Sequence, residues 1–265
     1  MSPGQPLQLT VLGSGTCELR PDASSPAHLV SCGSTHLLLD LGQGALRRLV
    51  QSGIAPAKLT AVLISHHHLD HLADLLPLLF ALNYDPAMRT ANLTICAHPD
   101  LQPVLSALQG AFDHWLVPRH PNVSFTWLAP GDQLTLGPIR LRTAAAAHVN
   151  TSLAFRLQTA DASLVYLGDT EPTGELARLA HRTDLLLANC AATDQNPKPG
   201  HLGPRAAGRL AARARARSLV LCHLYRDVDP ETARQAAGRV FDGPVWMASD
   251  RQVFTIGRGA VTTSP

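Results

Sequence analysis

Short apolar runs typical of strands alternate with helical patterns from one end of this 265-residue chain to the other. The number of these runs implies more than one sheet. The predicted strands lie at residues 7–12, 36–41, 61–65, 93–97, 139–146, 153–158, 163–168, 185–189, 219–223 and 243–247. The predicted helices lie at residues 44–52, 70–83, 101–108, 173–181, 204–217 and 230–240. Because no low-complexity linker divides the chain, we predict a single α/β domain over residues 1–265.

The composition is that of a folded protein. Hydrophobic residues make up 45% of the chain and charged residues 16%, which excludes intrinsic disorder. The formal net charge of +2 neither requires nor excludes an anionic partner. The five cysteines form no C-x-x-C pair, and their odd number argues against a complete disulfide framework. Since the residues after Met1 do not resemble a secretory signal and no apolar run could span a bilayer, we predict a cytoplasmic protein without a membrane partner.

One segment concentrates the residues that carry chemistry. Residues 65–71 have the sequence Ser-His-His-His-Leu-Asp-His, which follows an apolar strand and opens a helix. In extended backbone, residues two apart point to the same side, so His66 and His68 can chelate one metal ion. Asp70 and His71 leave in a new direction once the helix begins, and they can hold a second ion beside the first. A solvated polar loop is the alternative for such a histidine run on composition alone.

A site with two ions needs further ligands from other parts of the chain. Suitable side chains follow three predicted strands. They are His148, Asp169 and His223. Each one taken singly is better explained as an ordinary loop residue, but together they complete the ligand count.

These motifs together resemble the metallo-β-lactamase fold, and most of all its ribonuclease Z-like branch. Residues 66–71 match the His-x-His-x-Asp-His signature, residues 12–16 match a glycine-bearing first loop, and residues 38–42 match an apolar strand that ends near Asp40. The resemblance implies a four-layer αββα sandwich in which helices flank two mixed β-sheets. It also implies that His66, His68 and His148 hold one ion, that Asp70, His71 and His223 hold the other, and that Asp169 bridges both.

The same resemblance predicts the reaction. It implies a dinuclear hydrolase that acts on a nucleotide or nucleic-acid phosphodiester through metal-bound hydroxide. We predict Asp70 and His201 as catalytic residues; His201, in a Gly-His-Leu segment, resembles the branch's proton donor. Zn²⁺ is the metal that this donor set favours, and Mn²⁺ or Fe²⁺ also fit it. Hydrolysis of a lactone, thioester or sulfate ester by the same site, or a non-catalytic metal-binding role, are the alternatives.

The size of the substrate is left open by the sequence. Only about twenty residues separate His148 from Asp169, where tRNA-processing members of the branch carry a long arm that grips the RNA. We therefore expect that arm to be missing and the substrate to be a small phosphodiester or a nucleic acid. Arginines at positions 205, 209 and 213 lie four apart on one predicted helix face, which could contact nucleic acid but is more simply a solvated face. The resemblance also implies a homodimer.

Overall fold

The structure, a computed structural model, describes residues 5–117, 119–257 and 259–264. The predicted lack of a secretory signal rests partly on residues 1–4, which lie outside the described residues. The α-helices are α1 (Ala45–Gln51), α2 (Leu69–Leu72), α3 (Leu75–Tyr84), α4 (Leu101–Phe112), α5 (Gly174–Leu179), α6 (Pro204–Ala214) and α7 (Pro230–Gly238). The strands are β1 (Leu7–Gly13), β2 (Ala27–Cys32), β3 (Thr35–Leu39), β4 (Ala61–Leu63), β5 (Leu93–Ala97), β6 (Val123–Trp127), β7 (Gln133–Leu136), β8 (Ile139–Ala145), β9 (Leu153–Gln158), β10 (Ser163–Tyr166), β11 (Leu185–Asn189), β12 (Leu219–Cys222), β13 (Val245–Met247), β14 (Val253–Gly257) and β15 (Ala260–Ser264).

The described strands form two mixed sheets. The first has eight strands in the order β15-β14-β1-β2-β3-β4-β5-β6, and the second has seven in the order β13-β12-β11-β10-β9-β8-β7. In each sheet an antiparallel part is joined to a parallel part. The change occurs at β3 in the first sheet and at β10 in the second. Mixed sheets of this kind bury both faces of their central strands.

Three apolar layers hold the two sheets and the helices together. Side chains from both sheets, among them Leu37 and Phe155, meet in the layer between the sheets. Helices α1 to α4 pack on the outer face of the first sheet, and helices α5 to α7 pack on the outer face of the second. This arrangement confirms the predicted four-layer αββα sandwich. The prediction of one domain over residues 1–265 stays a prediction.

The predicted helix over residues 70–83 was wrong in one respect, because two helices occupy this segment. The break lies at Asp74, which follows the C-terminal cap of α2 and immediately precedes the first residue of α3. The Asp74 carboxylate accepts hydrogen bonds from the backbone N–H groups of Gly44, at 3.1 Å, and Leu46, at 2.9 Å. Asp74 is therefore held by the start of α1, and the chain changes direction there.

Five strands were missed by the sequence analysis: β2, β6, β7, β14 and β15. Strands β6, β7 and β15 lie at sheet edges, where exposed polar residues interrupt the apolar pattern. The fully covered strand β2 carries His28 and Ser31, so its sequence lacks a continuous apolar run. None of the described helices is long and apolar enough to cross a bilayer.

Candidate metal centre

The predicted ligands lie on loops that follow strands of both sheets. His66 and His68 follow β4, His148 follows β8, Asp169 follows β10 and His223 follows β12. The two sheets bring these strand ends to one edge of the sandwich, as Leu153 N–H, at the start of β9, donates to the carbonyl oxygen of Ser65 at 2.9 Å. The structure thus brings together side chains that are far apart in the sequence.

One group of donors contains His66, His68 and His148. A nitrogen atom from each lies close enough to the other two for all three to reach one ion. His148 Nε2 and His68 Nδ1 are 3.0 Å apart. The ring of His66 lies 4.6 Å from that of His68 and 4.9 Å from that of His148. These are the three residues that the resemblance implied for one ion.

A second group of donors contains Asp70, His71 and His223. The Nε2 atoms of the two histidines are 3.3 Å apart. The Asp70 carboxylate lies 3.5 Å from His223 Nε2 and 3.9 Å from His71 Nε2. This group matches the set implied for the other ion.

Asp169 lies between the two groups. Its Oδ2 atom is 3.3 Å from His71 Nε2, 3.4 Å from His223 Nε2 and 3.9 Å from His148 Nε2. One carboxylate oxygen therefore faces donors of both groups, which is the position that a bridging ligand requires.

The carboxylate of Asp40 orients the imidazole ring of His71 through a hydrogen bond to its Nδ1 atom. Asp40 is fully buried, and its Oδ2 atom accepts hydrogen bonds from His71 Nδ1 at 2.7 Å, Ser65 Oγ at 2.7 Å and Tyr166 Oη at 2.6 Å. Its Oδ1 atom accepts the backbone N–H of Ser65 at 2.6 Å. With Nδ1 donating, His71 presents the lone pair of Nε2 to the cluster, the arrangement in which a histidine binds a metal.

Similar hydrogen bonds orient two other histidines, His66 and His148. Ser65 Oγ donates its proton to Asp40, so it accepts from His66 Nδ1 at 3.0 Å and leaves His66 Nε2 facing the cluster. His148 Nδ1 donates to the carbonyl oxygen of Gly200 at 3.0 Å. Gly200 has φ +77°, and a Cβ built on it would lie 2.5 Å from His148 Nδ1, so a larger residue would displace that ring.

His223 is held at the end of β12 in an unusual backbone conformation. Its φ is +59°, a region that non-glycine residues rarely adopt. Its N–H donates to the carbonyl oxygen of Ser14, in the glycine-bearing loop after β1, at 2.8 Å. The Ser14 side chain and N–H in turn bind Asp250. The first loop thus fixes the direction in which the His223 ring leaves the strand.

His201 lies beside the donor cluster, next to Asp169. Its Nδ1 atom is 3.8 Å from Asp169 Oδ2 and 3.5 Å from Asn189 Nδ2. Asn189, at the end of β11, also donates to Asp169 Oδ1 at 3.4 Å. With Asn189 donating, His201 carries its proton on Nε2. His148, Asp169 and His201 also lie close enough to form a third group of metal donors.

Burial and neighbouring charges shift the pKa values of these groups in different directions. Burial lowers the pKa of His66 well below its ordinary value, and it lowers the pKa of His201 to about 4. Burial would also lower the pKa of His71, but the carboxylates of Asp169 and Asp40 raise it well above the ordinary value. Burial opposes ionisation of Asp169, yet His223 and His71 lower its pKa well below the ordinary value. The buried negative charge beside His71 favours a cation at this point.

The donor set fits divalent metal ions. Among the described residues, His66 Nε2 is buried and has no hydrogen-bond partner, although it faces the other donors. An unpaired buried nitrogen is unfavourable unless something binds it. Imidazole nitrogens combined with two carboxylates are typical ligands of Zn²⁺, Mn²⁺ and Fe²⁺.

Sequence reasoning missed the polar residues that support the cluster. Ser65, Tyr166 and Asn189 bind ligand or near-ligand side chains, and Glu171 Oε1 accepts the N–H of Gly200 at 2.7 Å. Asn189 carries the same signal as the predicted ligands, a polar residue at the end of an apolar strand. Tyr166 lies within the strand predicted over residues 163–168, so no sequence pattern distinguishes it from a core residue.

The cysteines take no part in the cluster. All five are free, and Cys222 packs in the layer between the sheets. Cys17 is exposed, and its Sγ lies 3.6 Å from the hydroxyl of Tyr225.

Comparison with known proteins decides the family. The profile described as Beta-lactamase superfamily domain matches residues 35–224, which include the donors from His66 to His223. The chain belongs to the β-lactamase superfamily. A protein named ribonuclease Z from Mycobacterium bovis (strain BCG / Pasteur 1173P2) is 30% identical over 92% of this chain and 96% of that protein. The superfamily member is thus a metal-dependent hydrolase that is similar to ribonuclease Z.

Solved structures agree with this membership. The metallo-beta-lactamase fold protein YhfI from Bacillus subtilis is 27% identical with a TM-score of 0.84, over 94% of this chain and 99% of that chain. Human tRNase Z, short form, has the same fold at 20% identity and a TM-score of 0.75, over 93% of this chain and 98% of that chain. In this superfamily member, only residues 159–162 join β9 to β10. As predicted, the segment between His148 and Asp169 carries no long arm.

Proposed function

We propose that this protein is a phosphodiesterase that uses two divalent metal ions to hydrolyse a nucleotide or nucleic-acid phosphodiester. The observation that carries the proposal is the pair of donor groups that share one carboxylate, Asp169. We assign His66, His68 and His148 to one ion, and Asp70, His71 and His223 to the other. Zn²⁺ suits these donors best, with Mn²⁺ and Fe²⁺ as alternatives.

In this proposal the ligand residues hold the ions, and a separate residue moves a proton. When bound, a pair of divalent ions would activate water near neutral pH. It would also neutralise negative charge on the attacking oxygen and on the leaving oxygen of a displacement at phosphorus. The hydrogen bonds from Asp40 and Gly200 hold the His71 and His148 rings at fixed angles, so that the site is formed before substrate enters. The Asp70 side chain is partly exposed at the edge of this cluster, so a bound substrate can contact it.

His201 is the proton donor in this proposal. It lines a groove of about 410 Å³ with Glu171, Thr193, Lys198 and Gly203. Because burial lowers the pKa of His201 to about 4, the ring is neutral at pH 7. A phosphodiester beside the ring adds negative charge and raises its pKa, which favours the protonated ring that would pass a proton to the leaving oxygen.

The assay panel decides between the enzyme classes. The protein, loaded with Zn²⁺, is given a bis-aryl phosphodiester, a lactone and a precursor tRNA at equal enzyme concentration. We expect two equivalents of metal per chain and turnover of a phosphodiester. Turnover of the lactone alone would show that the substrate is a lactone and not a phosphodiester. Two bound ions without turnover of any ester would show that the protein is a non-catalytic member of the superfamily.

Replacement of His201 tests its role. The His201→Ala variant should lose about 100-fold or more in kcat on the bis-aryl phosphodiester, the usual contribution of a positioned acid, while keeping its metal content. Exposed His181→Ala is the matched control. Because His201 also lies within reach of His148 and Asp169, a loss of metal in His201→Ala would show instead that it is a ligand.

We propose further that the protein is a cytoplasmic homodimer. The five free thiols support a reducing compartment, and the exposed rings of Phe80, Tyr84 and Trp115 contact one another in a cluster that a second copy would cover. Light scattering should give twice the chain mass of 28.3 kDa; a mass of one chain would disprove the dimer. Cell fractionation tests the compartment.

A further inference from the structure

The position of His201 decides where the leaving group of a substrate would lie. In the proposed reaction His201 protonates the leaving oxygen, so the departing alcohol must lie on the His201 side of the metal centre. The groove of about 410 Å³ that His201 lines opens on that side. This volume is typical of a site for a small molecule. The groove is therefore the place for the leaving group, and its charges act on that group.

One loop builds most of this groove. Residues 190–203 connect β11 to α6. The side chains that this loop adds to the groove besides His201 are those of Thr193, Asp194, Pro197, Lys198 and Pro199. The two prolines restrict the backbone, and the N–H of His201 donates to the carbonyl oxygen of Lys198 at 3.1 Å. The wall of the groove is thus tied to the proton donor.

Three charged side chains line the groove besides His201, and two of them are paired. The three are Glu171, Asp194 and Lys198. Lys198 Nζ lies 3.0 Å from Asp227 Oδ1. Asp194 Oδ2 lies 3.4 Å from Arg205 Nε, and Asp194 Oδ1 accepts the backbone N–H of Arg205 at 3.2 Å. An opposite charge therefore compensates each of these two charges.

The Glu171 carboxylate lines the groove without an opposite charge beside it. Glu171 is exposed, and no lysine or arginine of the described residues forms a salt bridge with it. Its Oε1 atom accepts the N–H of Gly200 at 2.7 Å, and its own N–H donates to the carbonyl oxygen of Ala147 at 2.9 Å. Ala147 precedes the predicted ligand His148, and Gly200 precedes His201. These bonds fix a negative charge beside the path of the leaving group.

We propose that the groove accepts a leaving group with no negative charge apart from its leaving oxygen, and that Glu171 excludes anionic leaving groups. The inference rests on the proposed phosphodiesterase function and narrows its substrate to a phosphodiester of an uncharged alcohol, such as a nucleoside or a sugar. The charge of the reacting phosphodiester lies at the metal centre, whereas any additional phosphate or carboxylate would lie in the groove and be repelled by Glu171. A leaving group that is itself a polyanionic chain is disfavoured for the same reason.

The experiment varies only the charge of the leaving group. Two methyl aryl phosphodiesters are given to the protein loaded with Zn²⁺. One releases 4-nitrophenol, and the other releases 4-nitrophenol that bears a carboxylate on its ring. The measured quantity is the kcat/KM for the first ester divided by the kcat/KM for the second. The intrinsic reactivities of the esters are the same for every variant, so a change in this ratio reports a change in the protein.

The variant Glu171→Gln removes the charge but keeps an oxygen that can accept the N–H of Gly200. The matched control Glu231→Gln removes the same charge from an exposed glutamate on α7 that pairs with Arg234. We expect the ratio to fall by about threefold or more in Glu171→Gln and to keep its wild-type value in the control. Raising KCl from about 50 to 500 mM should lower the wild-type ratio, because salt screens the repulsion.

A wild-type ratio in Glu171→Gln, or an equal change in both variants, overturns the proposal. So does a wild-type ratio that does not respond to KCl. Metal analysis and circular dichroism verify that the variants are intact. Should Glu171→Gln lose metal, the salt response of the wild-type ratio decides the proposal by itself.

Failure of this inference differs from failure of the proposed function. Wild-type protein that cleaves both esters, with a ratio that neither Glu171→Gln nor salt changes, retains the phosphodiesterase function and loses only the role of Glu171. Wild-type protein that cleaves neither ester nor any other phosphodiester contradicts the proposed function and this inference with it.

Discussion

At the scale of single residues, the buried Asp40 carboxylate has the largest effect on the candidate site. It accepts hydrogen bonds from His71, Tyr166 and both donors of Ser65, and Ser65 in turn orients His66. One side chain thus sets the direction of a histidine in each donor group. Such outer partners of metal ligands fix ring orientation and raise ligand basicity.

We predict that Asp40→Asn lowers the affinity for Zn²⁺ by about 10- to 100-fold, because an amide cannot accept from all these donors. Tyr166→Phe, which removes one of them, should give a smaller loss. Competition with a chromogenic chelator measures both affinities, and exposed Tyr84→Phe is the control. Wild-type affinity in Asp40→Asn would show that the network does not position His71.

His28 is a buried histidine without a polar partner. Within the described residues, neither ring nitrogen has a hydrogen-bond partner, and the ring packs edge-on to Tyr166 at 5.2 Å. Burial lowers the pKa of His28 to about 3 from an ordinary 6.5. The folded protein therefore holds this ring neutral, whereas the unfolded chain takes up a proton below pH 6.5. Its contribution to stability is complete above pH 6.5 and is lost as the pH falls from there towards 3.

We predict that His28→Leu removes this part of the pH dependence. At about 1.4 kcal/mol per pH unit, the unfolding free energy of the wild type should fall between pH 7 and pH 5 by about 2 kcal/mol more than that of the variant. Urea unfolding of both proteins in chelator measures the difference, since the metal ligands titrate equally in both. Parallel pH profiles would show that the ring is protonated in the folded protein.

At the scale of elements, the break between α2 and α3 places the ligand loop. Asp74 bonds Gly44 and Leu46 at the start of α1, and its own N–H donates to the carbonyl oxygen of Leu41 at 2.9 Å. The His71 carbonyl oxygen also accepts the N–H of Leu41, at 3.0 Å. The short helix α2 is thereby fixed against the end of β3, which carries Asp40 towards His71.

We predict that Asp74→Ala lowers the unfolding free energy by about 2 kcal/mol, because two backbone N–H groups at the start of α1 lose a charged acceptor. Chemical denaturation measures this change. Asp100→Ala is the control, since Asp100 precedes α4 without a side-chain bond to the helix. An equal effect of both substitutions would contradict a special role for Asp74.

The sequence predicted most of the central strands but missed three of the four edge strands, β6, β7 and β15, for a physical reason. Strands such as β10 and β11 are buried on both faces, so their apolar runs are continuous. The edge strand β15 pairs only with β14 and exposes most of its residues. The long helix predicted over residues 70–83 was broken by contacts of Asp74 with α1, which no local pattern contains.

At the scale of the whole molecule, the donors of the site could be identified from the sequence because they lie in segments that follow apolar strands. The resemblance to the family assigned His66 and His148, which are far apart in the chain, to one group. The orientation of the rings could not be predicted, because it depends on Ser65, Tyr166 and the Gly200 carbonyl, whose positions are set by tertiary packing.

The most direct test of the central claim is anomalous X-ray scattering from crystals of the protein loaded with Zn²⁺. We predict two zinc peaks, one bound by His66, His68 and His148 and the other by Asp70, His71 and His223, with the Asp169 carboxylate touching both. A single peak, or none within this cluster at saturating zinc, would contradict the dinuclear site.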